Sequence, residues 1–156
     1  MKRIVYELDG QLAIVTPVIN TMGEAEGFTE DDALARASQK LPDGAENVQI
    51  LDAEAIPADR TFRDAWRVDR DKIKIDMPRA RDILRTKLRE FRAEKMGSLD
   101  VEYQRADETK NDKKKAAVIA EKQVLRDLPA HPKIEQAQTV EELLRFHAEV
   151  TRELVQ

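Results

Sequence analysis

Few residues of this 156-residue chain have the types and spacing that catalysis or metal binding requires. The sequence has no cysteine, which excludes disulfides, thiolate zinc sites and cysteine nucleophiles. Its two histidines, His131 and His147, are sixteen residues apart and do not form the H-E-x-x-H pattern of zinc proteases. The glycine-rich patterns that bind phosphates are missing as well. We therefore expect no catalytic residue, no metal site and no cofactor, in a protein that is not an enzyme.

Charged residues make up 37% of the sequence, but their groupings are typical of helix surfaces rather than of active sites. Neighbouring acids such as Asp31–Asp32 and Glu141–Glu142 point in different directions on a helix and favour helix starts. The run Lys113–Lys115 is only three residues long and follows Asp112. It is more typical of the tip of a helical hairpin than of a nucleic-acid site.

The net charge of −4 is unevenly distributed along the chain. Residues 1–56 hold 4 basic and 11 acidic side chains, whereas residues 57–95 hold 13 basic and 8 acidic ones. The basic segment 57–95 could bind phosphate groups or an acidic protein surface. Because the chain is acidic overall, we expect a protein partner rather than a nucleic acid.

The N-terminal third has the signals of a small α+β domain. Lys2–Thr16 alternates apolar and polar residues around Asp9–Gly10, a pair that tolerates the two positive φ angles of a type I′ hairpin turn. Thr29 predicts the N-cap of a helix that runs through Lys40. A loop is expected over Val18–Gly27, and a third strand over Val48–Leu51.

The remaining sequence is helical in its periodicity. Asp76 predicts the N-cap of a helix about 45 Å long, in which Gly97 is a weak point. Its apolar stripe consists of Met77, Ala80, Leu84, Leu88, Phe91, Leu99, Tyr103 and Ala106. A second apolar stripe predicts a helix that folds back on the first. This stripe consists of Ala116, Ala120, Val124 and Leu128, with Ile119 alongside. Thr139 and Glu142 form a capping-box pattern before a short last helix.

These patterns predict an α+β protein: a small N-terminal antiparallel β-sheet with one helix, then a long α-helical hairpin and a short C-terminal helix. We expect four parts, namely a small domain at 1–56, a linking segment at 57–75, the helical hairpin at 76–128 and a helical segment at 129–156.

The segment Ile56-Pro57-Ala58-Asp59-Arg60-Thr61-Phe62-Arg63-Asp64-Ala65-Trp66 has neither helical nor strand periodicity. Asp59 is placed to accept backbone N–H bonds from the following turn. Phe62 and Trp66 either join the small domain to the rest of the chain or, together with arginines, form an interface with another protein. Both interpretations stay open at the level of the sequence.

Together with Asp76–Ile83 and Leu99–Glu108, this segment resembles small proteins of tailed bacteriophages and prophages that are encoded among tail or tail-fibre genes. The resemblance extends over most of the chain up to about Leu128. It implies a virion component or an assembly factor, and it suggests that Arg60, Phe62, Arg63 and Trp66 matter for that role.

We therefore expect a non-enzymatic tail-associated structural or assembly protein, located in the virion or the host cytoplasm. The alternative is a phage-encoded binding module that acts on a host protein or on nucleic acid through the basic segment 57–95. An unpaired apolar helix face is uncommon on a monomer, so the partners are expected to be other tail or tail-fibre proteins and further copies of this chain. The predicted partner-binding residues are Arg60, Phe62, Arg63, Trp66, Leu84, Leu88 and Phe91. No apolar run reaches the roughly 18 residues that span a bilayer, so no membrane insertion is expected.

Overall fold

The structure, a computed structural model, describes residues 1–19 and 27–154. It confirms the α+β class, with a small antiparallel sheet followed by a long helix and further helices. The chain forms two compact units, Met1–Asp76 and Met77–Gln156. The predicted linking segment 57–75 is part of the first unit, and the predicted C-terminal segment 129–156 is part of the second. Most of the predicted Val18–Gly27 loop lies outside the described residues.

The first unit is built on a three-stranded antiparallel sheet with the order β2-β1-β3. Its strands are β1 at Lys2–Leu8, β2 at Gln11–Val15 and β3 at Glu46–Asp52. The predicted hairpin is confirmed: Asp9 and Gly10 have φ angles of 50° and 71°, as a type I′ turn requires. Since β1 is the central strand, its residues Ile4, Val5 and Tyr6 are all buried, rather than every second one.

Helix α1, at Glu30–Ser38, contacts β1. As predicted, Thr29 is its N-cap, although the helix ends two residues before Lys40. The cap is a reciprocal one, in which the Thr29 N–H donates to Asp32 Oδ2 at 2.9 Å and the Asp32 N–H donates to Thr29 Oγ1 at 3.3 Å. The Thr29 hydroxyl, which donates to Asp32 Oδ2 at 2.7 Å, and then the Thr29 N–H lower the pKa of the Asp32 carboxyl, because they stabilise its charged form.

A second antiparallel pair completes the first unit. Strand β4 is Trp66–Asp69 and strand β5 is Lys72–Ile75. Strand β4 contacts β1 and β2. Its Arg67 donates from Nη1 to the Gly10 carbonyl oxygen at 2.7 Å, which ties β4 to the first hairpin turn.

The second unit is entirely helical in its regular structure. Its helices are α2 at Met77–Glu108, α3 at Asp112–Asp127, α4 at Pro132–Gln136 and α5 at Val140–Glu153. Helix α2 continues through Gly97 over 32 residues, about 48 Å at 1.5 Å per residue. Helix α3 packs against α2, while α5 packs against both α2 and α4.

Side-chain hydrogen bonds cap the starts of α3 and α5, and the N-cap at Thr139 is as predicted. The Asn111 side chain accepts from the Lys114 N–H at 3.0 Å and begins α3. Thr139 Oγ1 accepts from the Glu142 N–H at 3.3 Å and begins α5. The Glu142 carboxylate accepts from the Gln138 N–H at 2.7 Å, one residue before the position that a capping box implies.

Candidate functional site

Two of the aromatic residues predicted to bind a partner lie in the core of the first unit. Phe62 is 2% exposed and Trp66 is 1% exposed. A 3-10 turn at Arg63–Ala65 separates them, and the Ala65 N–H donates to the Phe62 carbonyl oxygen at 2.9 Å. Their side chains are therefore not accessible to a partner in this structure, and they stabilise the packing of the segment against the small sheet.

The two arginines of the same segment are exposed. Asp59 accepts from the Thr61 N–H at 2.7 Å, as its position in the sequence predicts. Hydrogen bonding from the Thr61 side chain, followed by this backbone bond, lowers the pKa of the Asp59 carboxyl. The Arg63 N–H donates to the Arg60 carbonyl oxygen at 3.0 Å, so the backbone of this turn is held by local bonds. Arg60 also lines an open groove of about 310 Å³ together with Arg3, Ile56 and Pro57.

The predicted stripe of α2 is covered by other elements of the second unit. Leu84 and Leu88 are fully buried, and α2 packs against α5 and against the 3-10 turn at Leu128–Ala130. Phe91 is half-buried, with the Lys95 ammonium 5.8 Å from the centre of its ring. Leu84 and Leu88 therefore have their partners within the chain.

The inner face of α3 is joined to α2 by charged pairs. Lys115 and Lys122 form ion pairs with Asp107 and Asp100, respectively. Both ammonium groups lie 5.3 Å from the ring centre of Tyr103, within the range of a cation–π interaction. The bond to Asp107 is the main cause of the raised pKa of Lys115. The later residue on α3 pairs with the earlier residue on α2, which shows that the two helices are antiparallel.

The stripe predicted for α3 is wrong in register, although its last member, Leu128, is buried as predicted. Val118, Leu125 and Leu128 are buried, whereas Ala116 and Ala120 are exposed. Two large apolar side chains of the predicted stripe are also open to solvent, Ile119 at 49% and Val124 at 50%. The buried set has helical spacing too, so the helical period alone does not show which set faces α2.

The exposed residues of α3 lack charge over a stretch of nine residues, which is unusual in a chain this rich in charged residues. Between residues 116 and 124, every exposed side chain is uncharged. We call this set the outer face of α3, and its members are Ala116, Ala117, Ile119, Ala120, Gln123 and Val124. The charged residues of the same stretch, Glu121 and Lys122, are half-buried. The outer face of α3 is an apolar helix surface without a partner among residues 1–19 and 27–154.

Both histidines have ordinary structural roles in the second unit. The His131 side chain accepts from the Lys133 N–H at 3.2 Å and begins α4, and its ring centre is 4.8 Å from that of Phe146. His147 is half-buried on α5, and burial, followed by the charge of Lys87, lowers its pKa. No group of three or more histidines and acids that could hold a metal ion occurs in the part of the chain that the structure describes.

A cleft of about 240 Å³ lies between α4 and α5. Its main charges already have partners: Lys133 binds the Glu149 carboxylate at 3.0 Å, and Glu142 accepts from the Gln138 backbone. The cleft therefore presents neither a free acid–base pair nor an unpaired cation cluster.

Part of the predicted basic segment 57–95 is used inside the second unit. Arg85 forms ion pairs with Asp82 and Glu135. Arg81 donates from Nη2 to the Ala137 carbonyl oxygen at 2.8 Å. These two arginines hold α2 to the region of α4, which gives them a structural role.

Comparison with known proteins adds no family to this description. No protein-family model, curated protein or solved structure matches the chain significantly. Within residues 1–19 and 27–154, no helix combines the length and the apolar character that crossing a membrane demands.

Proposed function

We propose that this protein is a non-enzymatic bacteriophage tail-associated structural or assembly protein that works through helix-mediated contacts with other proteins. Its partners are other tail or tail-fibre proteins and further copies of itself, in the virion or in the host cytoplasm during assembly. The resemblance of the Ile56–Trp66, Asp76–Ile83 and Leu99–Glu108 segments to small phage and prophage proteins supports the tail-associated role.

The outer face of α3 is the observation that carries the helix-mediated part of the proposal. Exposed helix surfaces in a chain of 37% charged residues are expected to carry lysines, arginines and acids. Here they are absent for more than two turns, while Ile119 and Val124 each expose about half of their surface. A partner that covers this face would remove apolar surface from water without burying a charge.

A carboxylate on this face provides the test. Val124→Glu is compared with Val101→Glu, because Val101 is equally exposed, at 48%, but lies on α2 about 200° around that helix from the buried Leu99. Each tagged variant and the wild type are expressed during phage production in a host that carries the corresponding prophage. Particles and assembly intermediates are then purified, and their proteins are identified by mass spectrometry.

We expect the wild type and Val101→Glu to co-purify with an identified tail or tail-fibre protein, and Val124→Glu to lose that association. Far-UV circular dichroism of each purified variant checks that the helices remain. A wild-type chain that is absent from both particles and tail intermediates would overturn the proposed function. Equal association of the two variants would overturn the role of the outer face of α3.

A further inference from the structure

The outer face of α3 lies between two opposite charges. Lys113, Ala120 and Asp127 follow one another at intervals of seven residues, which is two helical turns, so all three lie on one side of the helix. Lys113 and Asp127 are exposed, and the residues between them on this side are uncharged. This side of the helix therefore has Lys113 at one end, an uncharged centre and Asp127 at the other end. Asp112 and Arg126 are also exposed at the two ends, about 80° and 120° around the helix from Ala120.

The helix ends favour two of the exposed charges, Asp112 at the start of α3 and Arg126 near its end. Lys113 and Asp127 are placed against that preference. The partial positive charge at the start of a helix favours acids, and the partial negative charge at its end favours bases. Lys113 nevertheless lies in the first turn of α3, and Asp127 is its last residue. Within residues 1–19 and 27–154, Lys114 and Lys115 have the partners Glu102 and Asp107, whereas Lys113 has none. Asp127 accepts only from the neutral Gln123 amide, at 3.0 Å.

We propose that the outer face of α3 binds the same face of a second copy of this chain, with the two α3 helices antiparallel and a two-fold axis at Ala120. This arrangement places Lys113 of each copy opposite Asp127 of the other. It also places Val124 opposite Ala116, so that a large side chain meets a small one. The inference rests on the proposed function and names the second copy as the occupant of this face. The loss of tail association expected for Val124→Glu would then follow from the loss of the dimer.

The alternative orientation of the two helices is disfavoured by charge. In a parallel pair, Lys113 would face Lys113 and Asp127 would face Asp127, and both contacts would be repulsive. In the antiparallel pair, both contacts are attractive, and the small Ala120 at the axis allows the helices to approach closely. A two-fold contact of this kind is closed, so it produces a dimer and not a filament.

The dimer is expected to be weak in isolation. Stable protein interfaces bury about 1,200–2,000 Å² in total, and one pair of 16-residue helices is small by that standard. Association should therefore depend on protein concentration, and in a particle it would be favoured by the local concentration of neighbouring copies.

Charge reversal tests both the face and its orientation. Lys113→Asp, Asp127→Lys and the double variant are compared with the wild type by sedimentation equilibrium over a wide range of concentrations. Both reversals agree with the preference of the helix ends, so α3 should remain folded in each variant, which circular dichroism verifies. Each single variant is expected to have a dimer affinity at least about tenfold lower than that of the wild type, because it places like charges opposite each other. The double variant restores two attractive contacts and should recover the wild-type affinity.

Ala120→Glu is a further variant, since it places two carboxylates at the two-fold axis and should give a monomer at every concentration. A wild-type chain that remains monomeric throughout would overturn this inference, as would single reversals that dimerise like the wild type. A double variant that fails to recover the lost affinity would overturn the antiparallel register. None of these outcomes decides the proposed function, which depends on association with an identified tail protein.

Discussion

The Arg81 guanidinium on α2 donates to the carbonyl oxygen of Ala137, in the short link between α4 and α5, at 2.8 Å. The Arg81 Nε is buried and has no hydrogen-bond partner among the described residues. One guanidinium therefore satisfies a backbone oxygen at the cost of leaving another of its own donors unpaired. This contact fixes the position at which the chain turns from α4 into α5.

Arg81→Met should destabilise the second unit, because it removes the donor that the Ala137 carbonyl has on α2 while keeping most of the aliphatic volume. We expect the free energy of unfolding to fall by about 1–3 kcal/mol in urea titrations followed by circular dichroism. Arg89→Met is the matched control, since Arg89 is exposed on the same helix, and it should change stability by less than about 0.5 kcal/mol. Equal effects of the two substitutions would contradict a structural role for Arg81.

Gly97 and Gly10 should respond in opposite ways to alanine. Gly97 lies in the interior of α2, and a Cβ added there would meet no atom within 4 Å. Gly97→Ala is therefore expected to stabilise the protein by about 0.5–1 kcal/mol. Gly10 has a φ of +71° in the hairpin turn, so Gly10→Ala should destabilise the first unit. Thermal unfolding of both variants measures the two signs, and a destabilising Gly97→Ala would indicate that α2 needs flexibility there.

Leu88→Ala separates a core role from a role in partner binding. Leu88 is fully buried, and its truncation should lower the free energy of unfolding by about 2–5 kcal/mol. Urea unfolding followed by circular dichroism measures the loss, and light scattering measures the molar mass of the folded variant. A loss below about 1 kcal/mol together with a lower mass would restore Leu88 as a partner-binding residue.

The elements that the sequence predicted well depend on neighbouring residues only. The Asp9–Gly10 turn, the Thr29 cap and the Thr139 cap are each determined by a few adjacent side chains and their backbone bonds. The long α2 could be predicted for a related reason: its apolar residues follow the helical period, and one exposed glycine costs too little to break 32 residues.

The register of α3 could not be predicted in the same way. Its alanines and valines follow the helical period on two opposite sides, so the pattern by itself does not determine which side is buried. The packing of α3 against α2 makes that choice, because it buries Val118 and Leu125. The uncharged outer face of α3 became visible only when this choice was known.

The fold of the 57–75 segment depends on contacts that the sequence does not reveal. Arg70 has a φ of 55° in the turn between β4 and β5, a conformation that is uncommon for residues other than glycine and asparagine. The turn contains neither the Asn-Gly nor the Asp-Gly pair that usually indicates a hairpin, so the sequence does not predict it. Phe62 and Trp66 are buried because β4 contacts the sheet, which no local pattern predicts.

The stability of the second unit should depend on the protonation of His147. Burial, followed by the charge of Lys87, lowers the pKa of His147 in the folded protein, so the unfolded chain binds its proton at higher pH. As the pH falls through the ordinary histidine pKa of about 6.5, the unfolded state gains this proton first, and the free energy of unfolding falls. His147→Gln should therefore lose less stability than the wild type between about pH 7.5 and 5.5 in urea titrations. The Thr151 hydroxyl donates to the His147 backbone carbonyl at 2.8 Å, a bond that the substitution leaves in place. Equal losses in the two proteins would show that His147 does not control this pH dependence.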